Sequence, residues 1–199
     1  MGYDRATQLQ NVALQLGMKY QAADEWGVYR LLKDFRLFRR GGQRKITNLL
    51  SQREGWLESE AYIFDYRYVI STGKSSRVYK QTVFFMHSKK LGLPQFLLQP
   101  ETFFHKVGQL LGMQDIDFEQ YPLFSKQYLL RAEDEDYIRA SLPDKALQFF
   151  TLEKGWTLEG LNYYLVFYKD NHLMLPSQIM HFYRKGMYLH EILAAEPLP

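Results

Sequence analysis

The chain has no cysteine among its 199 residues. This absence excludes disulfide bonds, thiolate nucleophiles and zinc sites with cysteine ligands. A chain of this length buries a sizeable core without cross-links, so the lack of cysteine is only weak evidence for a reducing compartment.

Long apolar runs are also missing. No stretch approaches the roughly 20 consecutive apolar residues that a membrane-spanning helix requires, and we therefore expect no transmembrane span in this chain. Hydrophobic residues make up 46% and charged residues 24% of the chain, which is the composition of an ordinary globular protein.

The common catalytic and nucleotide-binding motifs are absent as well. The chain has no Gly-x-Ser-x-Gly motif and no glycine fingerprint for dinucleotides. Gly73-Lys74-Ser75 matches the end of a phosphate-binding loop, but Tyr68 stands where that loop needs a glycine, and a predicted strand follows. Glu101 and His105 have the spacing of two helical metal ligands, yet no third ligand can be assigned. We predict no cofactor and no bound metal.

Aromatic residues are abundant, with 15 Tyr and 14 Phe. Side chains alternate between the two faces of a strand, so a strand over residues 56–70 places four rings on one face: Tyr62, Phe64, Tyr66 and Tyr68. Such a face must be covered by helices of the same chain or by a partner. We predict that helices of the C-terminal half cover it.

Hydrophobic periodicity and turn residues predict an order in which strands come first and strand–helix units follow. The predicted helices cover residues 4–17, 100–112, 133–138, 143–155 and 176–193. The predicted strands cover residues 35–38, 46–52, 56–70, 78–87, 96–98 and 128–130, with a hairpin over 156–168 that turns around Gly160. This order favours the α+β class, with a curved, mainly antiparallel sheet and helices packed on one face. We expect an N-terminal amphipathic helix within residues 1–20 and a single domain over residues 21–195.

The net charge of +3 is unevenly distributed. Residues 1–100 hold 16 Lys and Arg against 8 Asp and Glu, whereas residues 101–199 hold 9 against 14. One cluster in the first half contains a single acid, Asp34, and is our candidate partner-binding surface: Arg30, Lys33, Arg36, Arg39, Arg40, Arg44 and Lys45.

Phe35, Leu37 and Phe38 are interleaved with these cations. Cations alternating with aromatic residues suit single-stranded nucleic acid or an anionic membrane surface. The other interpretation is a solvated strand face whose apolar alternates are buried.

Several short motifs give the chain a resemblance to known proteins: Asn48-Leu49-Leu50, Phe64-Asp65-Tyr66-Arg67-Tyr68, Thr72-Gly73-Lys74, Leu93-Pro94, residues 112–118 and residues 128–134. On these motifs the chain resembles a family of uncharacterised bacterial proteins. The resemblance implies no assigned activity and no catalytic residues. Many of these relatives carry one or two transmembrane helices before a basic stretch and this domain. The resemblance therefore implies a cytoplasmic location, either free or peripheral to the inner membrane; the present chain starts at the helix predicted for residues 4–17.

Two functional hypotheses remain open at this point. The first is a non-enzymatic binding module that uses the basic and aromatic surface of residues 30–45 to contact an unknown protein or an anionic surface. The second is an enzyme with an unfamiliar polar site, which would be built from Asp65, Arg67, His87 and His105. Asp65 and Arg67 share a strand face, so a structural ion pair between them is the simpler interpretation.

Overall fold

The computed structural model describes residues 4–54, 59–102 and 114–194. Within them the helices are α1 (Arg5–Gln15), α2 (Tyr29–Leu32), α3 (Arg36–Arg39), α4 (Pro122–Gln127), α5 (Glu135–Ser141), α6 (Asp144–Leu152) and α7 (Ile179–Leu193). The strands are β1 (Lys19–Ala23), β2 (Gly42–Glu54), β3 (Ser59–Ser71), β4 (Ser76–Ser88), β5 (Leu93–Pro100), β6 (Gln114–Ile116), β7 (Tyr128–Ala132), β8 (Thr157–Asn162) and β9 (Tyr164–Tyr168). No helix in these described ranges is both long and apolar enough to cross a membrane.

The nine strands form one open antiparallel sheet in the order β1-β2-β3-β4-β9-β8-β5-β7-β6. This confirms the α+β class and the mainly antiparallel sheet. β3 and β4 pair along their whole length, from Ser59↔Ser88 to Ser71↔Ser76. The next strand, β9, pairs only with residues 83–87 of β4, so the ribbon formed by β3 and β4 extends past β9.

One face of the sheet, here called the α7 face, packs against α1, α6 and α7. Phe84 of β4 and Phe167 of β9 contact Phe182 of α7, with ring centroids 6.4 and 5.7 Å apart. The helix approaches so closely because Gly186 lies against the Phe84 ring, where a Cβ would come within 2.5 Å of a ring carbon. Leu9 of α1 is buried in the same core.

The opposite face, here called the aromatic face, carries the four rings of β3 and is covered by residues 28–38. Phe38 of α3 packs on Phe64 and Tyr66, with ring centroids 6.2 and 4.5 Å apart. Tyr66 and Tyr68 have no exposed surface. The rings are therefore sealed by the protein itself, as expected.

The predicted layering was wrong in two respects. Helices lie on both faces of the sheet, and the aromatic face is covered by α2 and α3 instead of the C-terminal helices. The physical reason is the alternation of β4 and β9, whose even and odd residues also point to opposite faces. Phe84 and Phe167 pack against α7 on one face. Phe85 and Tyr168 lie on the opposite face and belong to the core that residues 28–38 cover.

Within residues 35–38, contrary to the predicted strand, Phe35 is the N-cap of α3 and the other three residues belong to that helix. Phe35, Leu37 and Phe38 are all buried, which a helical turn achieves because it brings residues at i and i+3 to one side. The hairpin of β8 and β9 turns at residues 162–163, where Leu161 pairs with Tyr164, and not around Gly160. Gly160 instead lies inside β8 beneath the Phe96 ring, where a Cβ would come within 2.2 Å of a ring carbon.

The other predicted elements agree in position with α1, α5, α6, α7 and the strands β2 to β5 and β7. The side chain of Asp4 accepts a hydrogen bond from the Thr7 amide at 2.8 Å and begins α1. Most of the helix predicted over residues 100–112 lies outside the described residues.

Candidate interaction surface

The seven cations predicted to form one surface are distributed by the structure over three environments. Two of them, Arg36 and Arg40, point inward and hold α3 to the sheet. The Arg36 guanidinium donates to Gln99 Oε1 of β5 at 2.7 Å. Arg40 forms an ion pair with Asp170 at 2.7 Å and lies over the Tyr68 ring, 5.3 Å from its centroid. These two arginines are structural.

Glu159 of β8 is the buried partner of α3. Its carboxylate accepts the Arg36 amide at 2.6 Å, the Leu37 amide at 3.2 Å and the Tyr168 hydroxyl at 2.8 Å. Burial raises the pKa of Glu159 above its usual range and raises that of Tyr168 well above its own. A carboxylate at the first amides of a helix satisfies donors that the helix itself leaves unpaired.

Arg36 and Glu159, together with Phe96, line a cavity of about 80 Å³ beside this carboxylate. Both oxygens of the carboxylate already accept hydrogen bonds from α3 or from Tyr168 of β9. Glu159 therefore serves to fix α3, and its altered pKa follows from that structural position.

The remaining cations are exposed and belong to two faces. Arg30, Lys33, Arg39 and Arg44 lie on the outside of the layer formed by α2 and α3. Arg44 donates to the carbonyls of Arg39 and Gly41 at 2.7 and 2.8 Å, which terminates α3. Lys45 alternates to the α7 face, where it is directly opposite Arg67.

Two large apolar side chains accompany the exposed cations, and the sequence interpretation did not include them. Trp26 is 50% exposed and Leu31 is 39% exposed. Both line a groove of about 820 Å³ whose floor includes Val28 and Tyr62. The sequence did not distinguish the exposed Leu31 from its neighbour Leu32, which is fully buried.

The polar wall of the same groove consists of an ion pair and a phenol. Arg53 of β2 and Glu60 of β3 pair at 2.6 Å, and the Tyr62 hydroxyl donates to Glu60 at 2.5 Å. Burial and this hydrogen bond raise the pKa of Tyr62. The groove therefore combines an apolar end at Trp26 with a polar end that keeps its own charges paired.

The alternative polar site does not come together in the structure. Asp65 lies on the α7 face of β3, whereas His87 of β4 lies on the aromatic face and stacks on Tyr164, with ring centroids 4.8 Å apart. Arg67 donates to the Gln43 carbonyl at 3.3 Å. His105 lies outside the described residues. The described members of this set are therefore not a catalytic cluster.

Asp65 has a structural role that replaces the ion pair expected with Arg67. Arg5 of α1 binds it with two nitrogens, at 2.7 and 2.8 Å. Asn48 and Thr82 donate to the same carboxylate at 2.9 and 3.0 Å. Both carboxylate oxygens are thus occupied, and Asp65 fixes the start of α1 on the sheet.

No group of three or more potential metal ligands occurs within residues 4–54, 59–102 and 114–194. The Glu101 and His105 pair considered from the sequence is only half described, since His105 lies outside these ranges, and Glu101 is exposed.

Comparison with known proteins gives a similarity of fold. No protein-family model and no curated protein matches the sequence. The fold is similar to that in the crystal structure of the mycobacterial trehalose monomycolate transport factor A, TtfA, with a TM-score of 0.66 and 13% sequence identity. The match covers 98% of this chain and 97% of that chain, so the similarity of fold extends over nearly the full length of both.

Proposed function

We propose that this chain is a non-enzymatic interaction module that binds a partner protein through the outside of α2. The surface in question, here called the α2 surface, consists of Trp26, Arg30, Leu31, Lys33 and Arg39. The observation that carries the proposal is the exposure of Trp26 and Leu31, which both line the 820 Å³ groove. The exposed Arg30 side chain lies against Gly27, the residue after Trp26.

This composition supports the proposal of a protein-binding site. Interfaces are enriched in Trp and Arg, and a few such residues supply most of the binding energy when they enter a pocket of the partner. The cations predict a partner with an acidic rim. The pair formed by Arg39 and Asp34, at 3.5 Å, has side chains that are more than half exposed, so Arg39 can exchange Asp34 for a partner carboxylate at little cost.

The buried polar groups support a function without chemistry. Glu159 accepts three hydrogen bonds that hold α3, and Asp65 accepts donors from three side chains. A catalytic carboxylate needs a free position for substrate, whereas every oxygen of these two carboxylates accepts a hydrogen bond from the protein. Binding through the surface is the function that the remaining exposed groups favour.

The fold similarity supports a biological setting, which is part of the proposal. The structural neighbour is named as a transport factor for trehalose monomycolate. We infer that this chain is an accessory module of an envelope transport system in a bacterium, placed in the cytoplasm at the periphery of the inner membrane. Its α2 surface would contact a protein component of that system.

Site-specific photo-crosslinking in the native cells tests the proposal. A photoreactive amino acid replaces Leu31, and a matched chain carries it at Leu152 of α6, which is 82% exposed. We expect a discrete protein adduct from position 31 that is absent from position 152. Equal adducts at both positions, or none at position 31, would contradict the proposal.

A charge reversal separates steering from contact. Arg30→Glu with Lys33→Glu should reduce the yield of the position-31 adduct, because like charges would then meet an acidic rim. The matched control reverses two exposed lysines elsewhere, Lys145→Glu and Lys154→Glu, with the same change in net charge. Equal losses in both chains would point to net charge alone and not to the α2 surface.

A further inference from the structure

Three cations stand in one row across three neighbouring strands on the α7 face. Lys45 of β2 pairs in register with Arg67 of β3, and Arg67 pairs with Lys80 of β4. Neighbouring strands are about 4.8 Å apart, so the row spans roughly 10 Å. Like charges directly opposite each other destabilise a sheet. A row of three such cations therefore lowers the stability of the fold, which favours a role in binding.

The row has no anionic partner among the described residues. None of the three cations forms an ion pair within residues 4–54, 59–102 and 114–194. Asp65 lies on the same face, but its oxygens are occupied by Arg5, Asn48 and Thr82. Lys45 and Lys80 are exposed, and Arg67 is half-buried.

An apolar row follows at the free end of the ribbon. Val69 pairs with Val78 next to Arg67 and Lys80, and Val78 is 44% exposed. The turn beyond it carries the exposed Lys74. β9 pairs only with residues 83–87 of β4, and β2 pairs with β3 as far as Val69. The end of the ribbon beyond the row therefore extends past its neighbours and carries one exposed apolar side chain, Val78.

We propose that this row and the end of the ribbon beyond it dock on an anionic lipid bilayer, with Lys45, Arg67 and Lys80 binding lipid phosphates and Val78 entering the interfacial layer. Cations near an anionic membrane each contribute to binding, and an apolar side chain adds burial in the headgroup region. The surface is separate from the α2 surface, so this inference does not depend on the partner protein proposed above.

The chemistry of the surface favours lipid over nucleic acid. Proteins that bind single strands offer exposed aromatic rings on which bases stack. The nearby rings of the ribbon are on the aromatic face, where Tyr68 and Tyr79 stack on each other with centroids 5.0 Å apart. The row on the α7 face is followed by valines, which have no stacking surface.

Vesicle flotation tests the docking directly. The full chain is mixed with phosphatidylcholine vesicles that contain or lack phosphatidylglycerol, and with single-stranded DNA as the other polyanion. We expect binding only to the anionic vesicles, weakening as salt rises. Failure to bind these vesicles, or binding to the DNA alone, would overturn the proposal.

A triple variant locates the contact. Lys45→Gln, Arg67→Gln and Lys80→Gln together should weaken vesicle binding on the order of 100-fold, from roughly fivefold per cation. A matched chain loses the same charge at three exposed lysines elsewhere: Lys126→Gln, Lys145→Gln and Lys154→Gln. Because the triple variant removes repulsion within the row, its thermal midpoint should be unchanged or higher. Equal weakening in both chains would overturn the assignment of the site.

The absence of cysteine provides a clean probe of insertion. A single cysteine introduced by Val78→Cys carries an environment-sensitive fluorophore, and Leu152→Cys carries it in a control chain. We expect a blue shift with anionic vesicles for the label at position 78 and none for the label at position 152. No shift at position 78, or an equal shift at both, would contradict entry of this end into the interface.

Discussion

Glu159 is the residue whose replacement most informatively perturbs the fold, since it joins β8 to α3 across more than a hundred residues of sequence. Its two oxygens accept the amides of Arg36 and Leu37 and the hydroxyl of Tyr168. In Glu159→Gln one acceptor oxygen becomes an amide donor. That donor then meets a backbone N–H in either orientation of the side chain.

The expected cost follows from this conflict. An unsatisfied buried donor costs about 1–3 kcal/mol, so we expect Glu159→Gln to lower the free energy of unfolding by about 2 kcal/mol at neutral pH. Glu159→Ala leaves three donors without an acceptor and should cost about 4 kcal/mol, a large share of the roughly 5–15 kcal/mol available to a domain.

The pH dependence of the difference has a definite sign. Burial raises the pKa of Glu159 above 4.5, the value of a solvated glutamate, so the folded state binds its proton more tightly than the unfolded state does. The contribution of this group to stability is then largest below pH 4.5 and falls as pH rises through the folded pKa. The deficit of Glu159→Gln relative to the wild type should therefore be greater at about pH 5 than at about pH 8.

Urea unfolding at both pH values measures these differences, and amide hydrogen exchange locates them. The amides of Arg36 and Leu37 should exchange faster in Glu159→Gln because α3 loosens. Glu135→Gln is the matched control, since Glu135 forms an exposed pair with Arg139 and should cost less than about 0.5 kcal/mol. Unchanged exchange at the two amides would refute the role assigned to Glu159, and a deficit that grows with pH would contradict its raised pKa.

Two further substitutions test how the helices are held on the α7 face. Gly186→Ala should lower the free energy of unfolding by about 1–2 kcal/mol, because the new Cβ would press on the Phe84 ring. Thermal melting measures the loss, and Phe84→Leu in the same chain should recover part of it. Gly42→Ala is the control and should change stability little, because a Cβ there has no neighbour within 4 Å. Arg5→Met should lower the free energy of unfolding by about 2 kcal/mol, because Asp65 keeps two of its donors. This loss is below the roughly 3–5 kcal/mol expected when one partner of a fully buried pair is removed. Faster amide exchange confined to α1 would confirm that the pair fixes this helix, and uniformly faster exchange over the sheet would contradict it.

The elements that could be predicted are those whose pattern is local. The alternation of Tyr62, Phe64, Tyr66 and Tyr68 correctly identifies β3 and a buried aromatic face, because a period of two needs no knowledge of the rest of the chain. Likewise, apolar spacing of three and four residues identifies α1 and α7. Which helices cover which face depends on packing between distant segments, and there the prediction was wrong.

The error at residues 35–38 has the same origin. Phe35 and Leu37 alternate with polar residues as in a strand, but the carboxylate of Glu159 accepts the first amides of α3 and fixes a helical turn. Nothing in the sequence near residues 35–38 indicates that Glu159, more than a hundred residues away, contacts them. Tertiary contact overrides a weak periodicity of this length.

The candidate site was predictable in composition and not in arrangement. The basic cluster of residues 30–45 is evident in the sequence, yet the structure turns Arg36 towards Gln99 and Arg40 towards Asp170. Lys45 lies on the other face of the sheet because successive side chains of β2 point to opposite faces. Its alignment with Arg67 is a matter of strand register, which short polar strand ends do not specify.

The central claim is that the protein acts by binding a partner through its α2 surface and not through a polar catalytic site that includes His87. The most direct test is the affinity of the crosslinked partner, once purified, for variants of each kind in calorimetric titration. Trp26→Ala should weaken binding by at least about 30-fold, the effect of losing an aromatic anchor, whereas His87→Ala should leave the affinity unchanged. Unchanged affinity in Trp26→Ala, together with loss of binding in His87→Ala, would contradict the claim.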